Sequence, residues 1–185
     1  MNQINGQRLK KRWLKPSEAL NRPFNRQIGD TLGRTGASQE ETIRRLGFHV
    51  SNIGLLIEQH ATSELTELLP VCPIPNTANW LLGLINLRGN LVPVFDLNLL
   101  LQLEKGTDKK PMLLILGQGD AAGAIVINGF PIHITFIESD KLQTIPPLPP
   151  AIKPYTTSGF EKNNEVWFNF DHLSFFHSLT AKIAG

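Results

Sequence analysis

The chain has 185 residues, 41% of them hydrophobic and 18% charged, with a formal net charge of +2, which suits a water-soluble chain with one sizeable core or two small packed units. No apolar stretch reaches the ~18 residues that a membrane span needs, because glycine, proline, asparagine and charged residues interrupt every run. A lone cysteine, Cys72, excludes a disulfide framework and a thiolate metal cluster and suits a reducing compartment, so a cytoplasmic location without membrane insertion is expected.

The opening MNQINGQRLKKRWLK carries basic residues with no apolar core behind them, so it does not read as a secretory signal. Residues 1–34 hold eight Lys/Arg against Glu18 and Asp30, a net of +6, which leaves the rest of the chain mildly acidic. Such an arm suits nucleic acid, lipid headgroups or an acidic partner, and equally suits a solvated, partly disordered tail. Residues 1–42 are therefore expected to be a basic extension, partly disordered or in short helices. PSEALNRPF could dock through Leu20 and Phe24, its length limited by Pro23.

Order should begin at Ser38. Ser38 and Glu41 stand in capping-box spacing ahead of Ile43 and Leu46, which predicts a short helix from 39 to 46 ending at Gly47. Strand patterns follow: GFHVSN and GLLIEQ flank a turn around Asn52–Gly54. SELTELLPVCPIP is extended, and its three prolines exclude a helix or a central strand over its second half. In WLLGLINLRGNLVPVFDLNLLL, Trp80–Arg88 and Leu91–Phe95 read as strands buried on both sides, joined at Gly89–Asn90. Asp96 is placed to cap the short helix LNLLLQL. EKGTDKK is a polar loop, PMLLILG and GAIVING are strands, and FPIHITFIE follows a turn at Asn128–Gly129.

A period of 75 residues runs through these segments. Gly54 meets Gly129, Ile57 meets Ile132, Pro75 meets Pro150, Phe95 meets Phe170 and Asp96 meets Asp171. The segment classes match in the same order, which predicts two similar β units in tandem over residues 43–182. Short strands with frequent Gly/Pro turns favour small closed barrels, since closure removes exposed edges.

Catalytic chemistry finds no candidate. His49, His60, His133, His172 and His177 form no ligand spacing, so no metal is expected. Cys72, between Val71 and Pro73 with no base beside it, reads as a buried thiol. GQGDAAG joins two predicted strands, so no helix N-terminus follows to hold a phosphate. Asp96 and Asp171 read as helix caps. No cofactor is expected and the chain is expected not to be an enzyme.

The run IPNTANWLLGLINLRGNLVPVFDL resembles the hallmark of CheW-like domains, the scaffold modules of bacterial chemosensory arrays. Pro75, Trp80, Leu82, Gly83, Asn86, Leu87, Arg88, Gly89, Val92, Pro93, Asp96 and Leu97 carry the pattern, and the likeness covers roughly residues 44–180. The resemblance implies an all-β fold of two five-stranded SH3-like barrels around a shared core, with no activity of its own. It implies a non-catalytic adaptor that couples the cytoplasmic tip of a methyl-accepting chemoreceptor to the regulatory domain of a CheA-type histidine kinase, recruited to membrane-associated arrays. The residues it points to for partner binding are Thr62, Glu64, Leu65, Asn86, Arg88 and Gly89. Arg88 either meets a partner at the edge of a groove, ties down its own turn, or pairs with a carboxylate across the two units. Thr62 and Glu64 could also be plain solvent-facing strand residues, with Leu65 facing the core.

Three departures stand out: Asn98 where an arginine is common, an irregular-looking SGFEKNNE, and a long extension whose LNRPF element resembles that of adaptors in type IV pilus twitching systems. The rival functions are a kinase-sequestering module without a receptor, nucleic-acid binding through the basic arm, and a ligand-holding barrel. The acidic, aromatic-poor body argues against nucleic acid.

Overall fold

The computed structural model describes residues 41–104 and 109–184. The helix expected in PSEALNRPF and four residues of the EKGTDKK loop lie outside them. Among the described residues, ten strands appear in the order β1 (Thr42–Val50), β2 (Ile53–Leu56), β3 (Ser63–Glu67), β4 (Leu81–Leu87), β5 (Asn90–Phe95), β6 (Pro111–Leu116), β7 (Gly123–Asn128), β8 (Ile132–Ile137), β9 (Thr156–Lys162) and β10 (Glu165–Phe170). Helix α1 (Leu97–Leu101) follows β5, and α2 (His172–Ala184) follows β10.

These strands make two five-stranded sheets, as expected. A central sheet has the order β3-β6-β7-β5-β4, and a terminal sheet, drawn from both ends of the chain, has the order β8-β1-β2-β10-β9. Neighbours are antiparallel except for β2–β10 and β5–β7, which are parallel. Each sheet curls until its edges meet. In the central sheet the proline-bearing segment after β3 reaches β4, where Cys72 and Leu84 exchange two backbone hydrogen bonds of 2.8 and 2.9 Å. Gly83 makes this approach possible: it has φ +140°, and a Cβ there would overlap the Cys72 carbonyl. In the terminal sheet the amide of Leu142 donates to the carbonyl of Gly159 at 2.9 Å, and Lys162 meets Asp140 at 2.8 Å.

The 75-residue repeat is present but interlaced. Shifted by that length, Leu81–Leu87 falls on Thr156–Lys162 and Asn90–Phe95 falls on Glu165–Phe170. Yet β1 and β2 join β8–β10, whereas β3–β5 join β6 and β7. Each sequence unit therefore gives two strands to one sheet and three to the other. The period also breaks in the first half of each unit. Asn169 pairs with Leu56 and Val94 with Ala124, so Leu56 answers to Ala124. The Gly54–Gly129 and Ile57–Ile132 coincidences thus join residues with different structural places. The cause is an unequal connection: residues 68–80 join β3 to β4, while the longer stretch 138–155 joins β8 to β9.

Among the described residues, three apolar clusters fill the barrels and the space between them. Ile85, Val92, Val94, Leu113, Ile115, Ala122 and Ala124 occupy the central barrel. Leu56, Phe136, Phe160 and Trp167 occupy the terminal barrel, where Trp167 lies flat against Gly47 and Gly54; a Cβ at either would come within 2.6–2.8 Å of that ring. The largest cluster lies between the sheets, with Phe48, Leu55, Phe95, Leu114, Ile125 and Phe170 joined by Leu97 from α1 and Phe175, Phe176 and Leu179 from α2.

Several expectations need correction. Residues 42–46 are strand, not helix: six residues of β1 pair with β8, so a tertiary ladder overrides the local capping pattern. The two-sided burial expected of Trp80–Arg88 belongs to β6 and β7 instead. On β6, Met112, Leu114 and Leu116 face the shared core while Leu113 and Ile115 face the barrel interior. Strand β4 is an edge strand whose burial alternates. SGFEKNNE is a regular hairpin, β9 to β10, turned at Asn163–Asn164. Cys72 is exposed, because the chain reaches it along a sheet edge.

The interlacing yields a clear expectation. A fragment ending at residue 104 has β1 and β2 without the strands they pair with on either side in the full sheet, and β3–β5 without β6 and β7. It should show no cooperative thermal transition by circular dichroism, and adding the complementary fragment should restore one.

Candidate partner-binding site

Five of the six residues singled out by resemblance, together with Gln118, gather at one end of the central barrel, where its two edge strands meet. The β4–β5 hairpin pairs Leu87 with Asn90, so the turn residues are Arg88 and Gly89, one position earlier than expected. Their φ values are +52° and +90°, the signature of a type I′ turn. The amide of Gly89 donates to Oδ1 of Asn86 at 2.8 Å, locking the turn from the strand below.

Arg88 neither ties down its own turn nor reaches the other barrel. Its Nη2 lies 2.9 Å from Oε1 of Glu64 on β3, within the central barrel. The arginine side chain remains 74% exposed, so water screens the pair and its contribution to stability is only ~0.2–1 kcal/mol. Thr62 is exposed, and its hydroxyl accepts a 2.8 Å hydrogen bond from Nε2 of Gln118. Thr62, Glu64, Arg88 and Gln118 line one shallow groove of about 250 Å³, floored by Val92 and Ile115. Leu65 does not join them; it packs inward against the shared core.

The internal repeat shows what Arg88 costs. In register, Arg88 falls on Asn163, and the second hairpin turns through Asn163 and Asn164 with φ +53° and +64°. Asparagine and glycine tolerate this left-handed region; an arginine is strained there by roughly 1 kcal/mol. The long cation therefore occupies a place where backbone physics prefers a short residue, and the fold keeps it exposed.

The same comparison exposes a second face that the sequence reading missed. One row across the central sheet runs Glu64–Ile115–Ala124–Val94, and its counterpart across the terminal sheet runs Ile132–Gly47–Leu56–Asn169. Ile132 is thus the counterpart of Glu64. It is 45% exposed, and Phe130 beside it is 73% exposed. With Phe48, His49, Lys109 and Glu165 they line a groove of about 400 Å³. His49 lies against Trp167, ring centroids 4.4 Å apart and planes tilted by 60°, with Nε2 3.8 Å from Glu165. Burial pushes the imidazole pKa down; Glu165 opposes this and Lys109 reinforces it. Strand alternation in FPIHITFIE puts Phe130 and Ile132 on the same side as the buried Phe136, and the 75-residue period sets Ile132 on Ile57, so only the pairing of the strands brings Ile132 into line with Glu64.

Elsewhere, Asp96 caps α1 by accepting from the amides of Asn98 and Leu99 at 2.9 and 3.2 Å, and Asp171 accepts from the amide of Ser174 at 3.0 Å. No three His, Cys, Asp or Glu gather into a cation cluster among the described residues.

A family profile described as CheW-like domain matches residues 44–179. The chemotaxis protein CheW of Helicobacter pylori is 26% identical over 152 residues, covering 80% of this chain and 90% of that protein. The solved structure of scaffolding protein TtCheW from Thermoanaerobacter tengcongensis superposes with a TM-score of 0.56 at 17% identity, covering 69% of this chain and 88% of that one.

The strained turn predicts an unusual mutational signature. Arg88→Asn should leave folding stability within about 1 kcal/mol of the parent, relief of strain offsetting the lost ion pair. Gly89→Val, forcing a β-branched residue to φ +90°, should cost more than ~1–2 kcal/mol. Urea denaturation of the two variants measures both.

Proposed function

Because the chain belongs to the CheW-like domain family, we propose that it is a non-catalytic adaptor holding a CheA-type histidine kinase and a chemoreceptor in one signalling assembly. An adaptor of this kind must bind two unlike partners at once. The observation that carries the reading is the pair of counterpart faces with opposite chemistry, one on each barrel. The ionic face has Arg88 on an exposed hairpin, paired with Glu64 on β3 beside it; the apolar face has Phe130 and Ile132.

We assign the ionic face to the kinase regulatory domain. Exposed charges at a hairpin tip fix register and exclude wrong partners more than they add raw affinity, which suits the docking of one barrel on another. Asn86 and Gly89 serve that face by holding the turn. The apolar groove goes to the receptor tip, a helical hairpin whose apolar stripe it can seat, with Lys109 and Glu165 at its rim to set orientation. The protein would then act at receptor arrays without entering the bilayer; none of the described helices is long and apolar enough to cross a membrane. The LNRPF element of the extension favours the pilus branch of such systems.

The two faces should be separable. Arg88→Glu is expected to weaken the isolated kinase regulatory domain at least tenfold while leaving a receptor cytoplasmic fragment within about twofold. Ile132→Glu with Phe130→Ser should do the reverse. Titration calorimetry on each pair, and size-exclusion chromatography of the ternary mixture, read the outcome. Parallel loss of both partners in both variants would overturn the two-face assignment, and failure of the parent chain to bind either would overturn the adaptor reading.

A further inference from the structure

Asp96–Leu97 and Asp171–His172 hold the same place at the heads of α1 and α2, 75 residues apart. In the first copy Leu97 is fully buried in the shared core. In the second copy the position holds an imidazole that is only 2% exposed. Its ring stands edge-on to Phe176 at 6.1 Å, and Nδ1 has no hydrogen-bond partner. Leucine meets the packing need, as the first copy shows. A buried histidine with an idle nitrogen is a costlier way to fill the space.

The site also disfavours the charged ring. His172 opens a thirteen-residue helix, whose unpaired first-turn amides repel a cation. The charged groups acting on it are Glu58, in the segment after β2, and Asp171, the helix cap; both favour protonation, and burial outweighs them, so the pKa lies below the ordinary value. Glu58 also acts on Arg45, whose guanidinium is anchored to the carbonyl of Ile57 at 3.0 and 3.2 Å.

We propose that His172 makes the seating of α2 on the shared core acid-labile: neutral, the ring packs where its counterpart is leucine; protonated, it must reach water, and the first turn of α2 lifts with it. Phe175, Phe176 and Leu179 ride on that helix and pack between the two barrels, so acid loosens the end of the molecule that joins them while both sheets stay paired. The sign follows from linkage. The open state binds a proton with an ordinary histidine pKa of ~6.5 and the closed state binds it only at lower pH, so the seating is fully stable above about pH 6.5 and weakens as pH falls below it.

Hydrogen exchange on the full-length protein tests this. Protection of the α2 amides, corrected for intrinsic rates, is measured at pH 7.5 and 5.5 for the parent, His172→Leu and His172→Gln. The α2 opening constant should rise about tenfold in the parent between these pH values, the ratio expected for one proton bound only in the open state. It should change less than twofold in both variants, neither of which titrates. His172→Gln keeps the test available should leucine repack the site. An equal rise in parent and variants, or no rise in the parent, overturns the proposal.

Discussion

The constraint on which the rest depends is that strands β6 and β7 are apolar on both faces. Leu113, Ile115 and Ala124 fill the central barrel, while Met112, Leu114, Leu116, Ile125 and Ile127 look outward onto the terminal sheet. A small barrel has little interior, and neither cluster of four or seven buried residues supplies a core of the size that sustains a domain alone. The outward faces must therefore be covered, and the other barrel is the cover. Helices α1 and α2 seal that seam with Leu97, Phe175 and Phe176. Two barrels locked in this way give a rigid base, and hairpin tips at its surface can differ without disturbing it.

The internal repeat serves as a control experiment built into the chain. Where both copies agree, as with aspartate at the head of each helix, the residue answers to the needs of the fold. Where they differ, the cheaper residue shows what the fold alone would accept. Asn163 shows that the left-handed turn does not ask for arginine, and Ile132 shows that the row position does not ask for glutamate. The ionic pair at Glu64 and Arg88 is thus an addition to the architecture, and the same comparison singles out the exposed aromatic at Phe130.

Much of this was legible in the sequence because it is written locally. Hairpin turns, the aspartate caps and the proline-bearing edge segment are governed by residues within a few positions of one another, and all were placed within a residue or two. The period was legible only over the second half of each unit, where a hairpin runs into an aspartate-capped helix. What was not legible depends on partners distant in the chain. Thr42–Leu46 follows the capping pattern of Ser38 and Glu41 but becomes a strand because β8 lies beside it. Cys72 sits among apolar neighbours yet lies open because it bridges an edge. The crossing of strands between sheets leaves no local mark, since hydrophobic alternation does not say which sheet a strand joins. Among the site residues, the gathering of Thr62, Glu64 and Arg88 followed from the motif, while Gln118 entered through a turn with no sequence signal of its own.

That crossing also sets the order in which the molecule can be made. Strands β1 and β2 leave the ribosome before the other eight, but β2 is flanked by β10 and β1 by β8, both encoded more than seventy residues later. Until β8 and β10 emerge, an apolar hairpin containing Phe48, Val50, Leu55 and Leu56 has no lasting neighbour, whereas the central sheet is complete once β7 emerges. Nascent chains of this type depend on loop closure across most of their length, and they expose their stickiest edge for longest. A cell that makes the protein in quantity has reason to shield that early hairpin during synthesis.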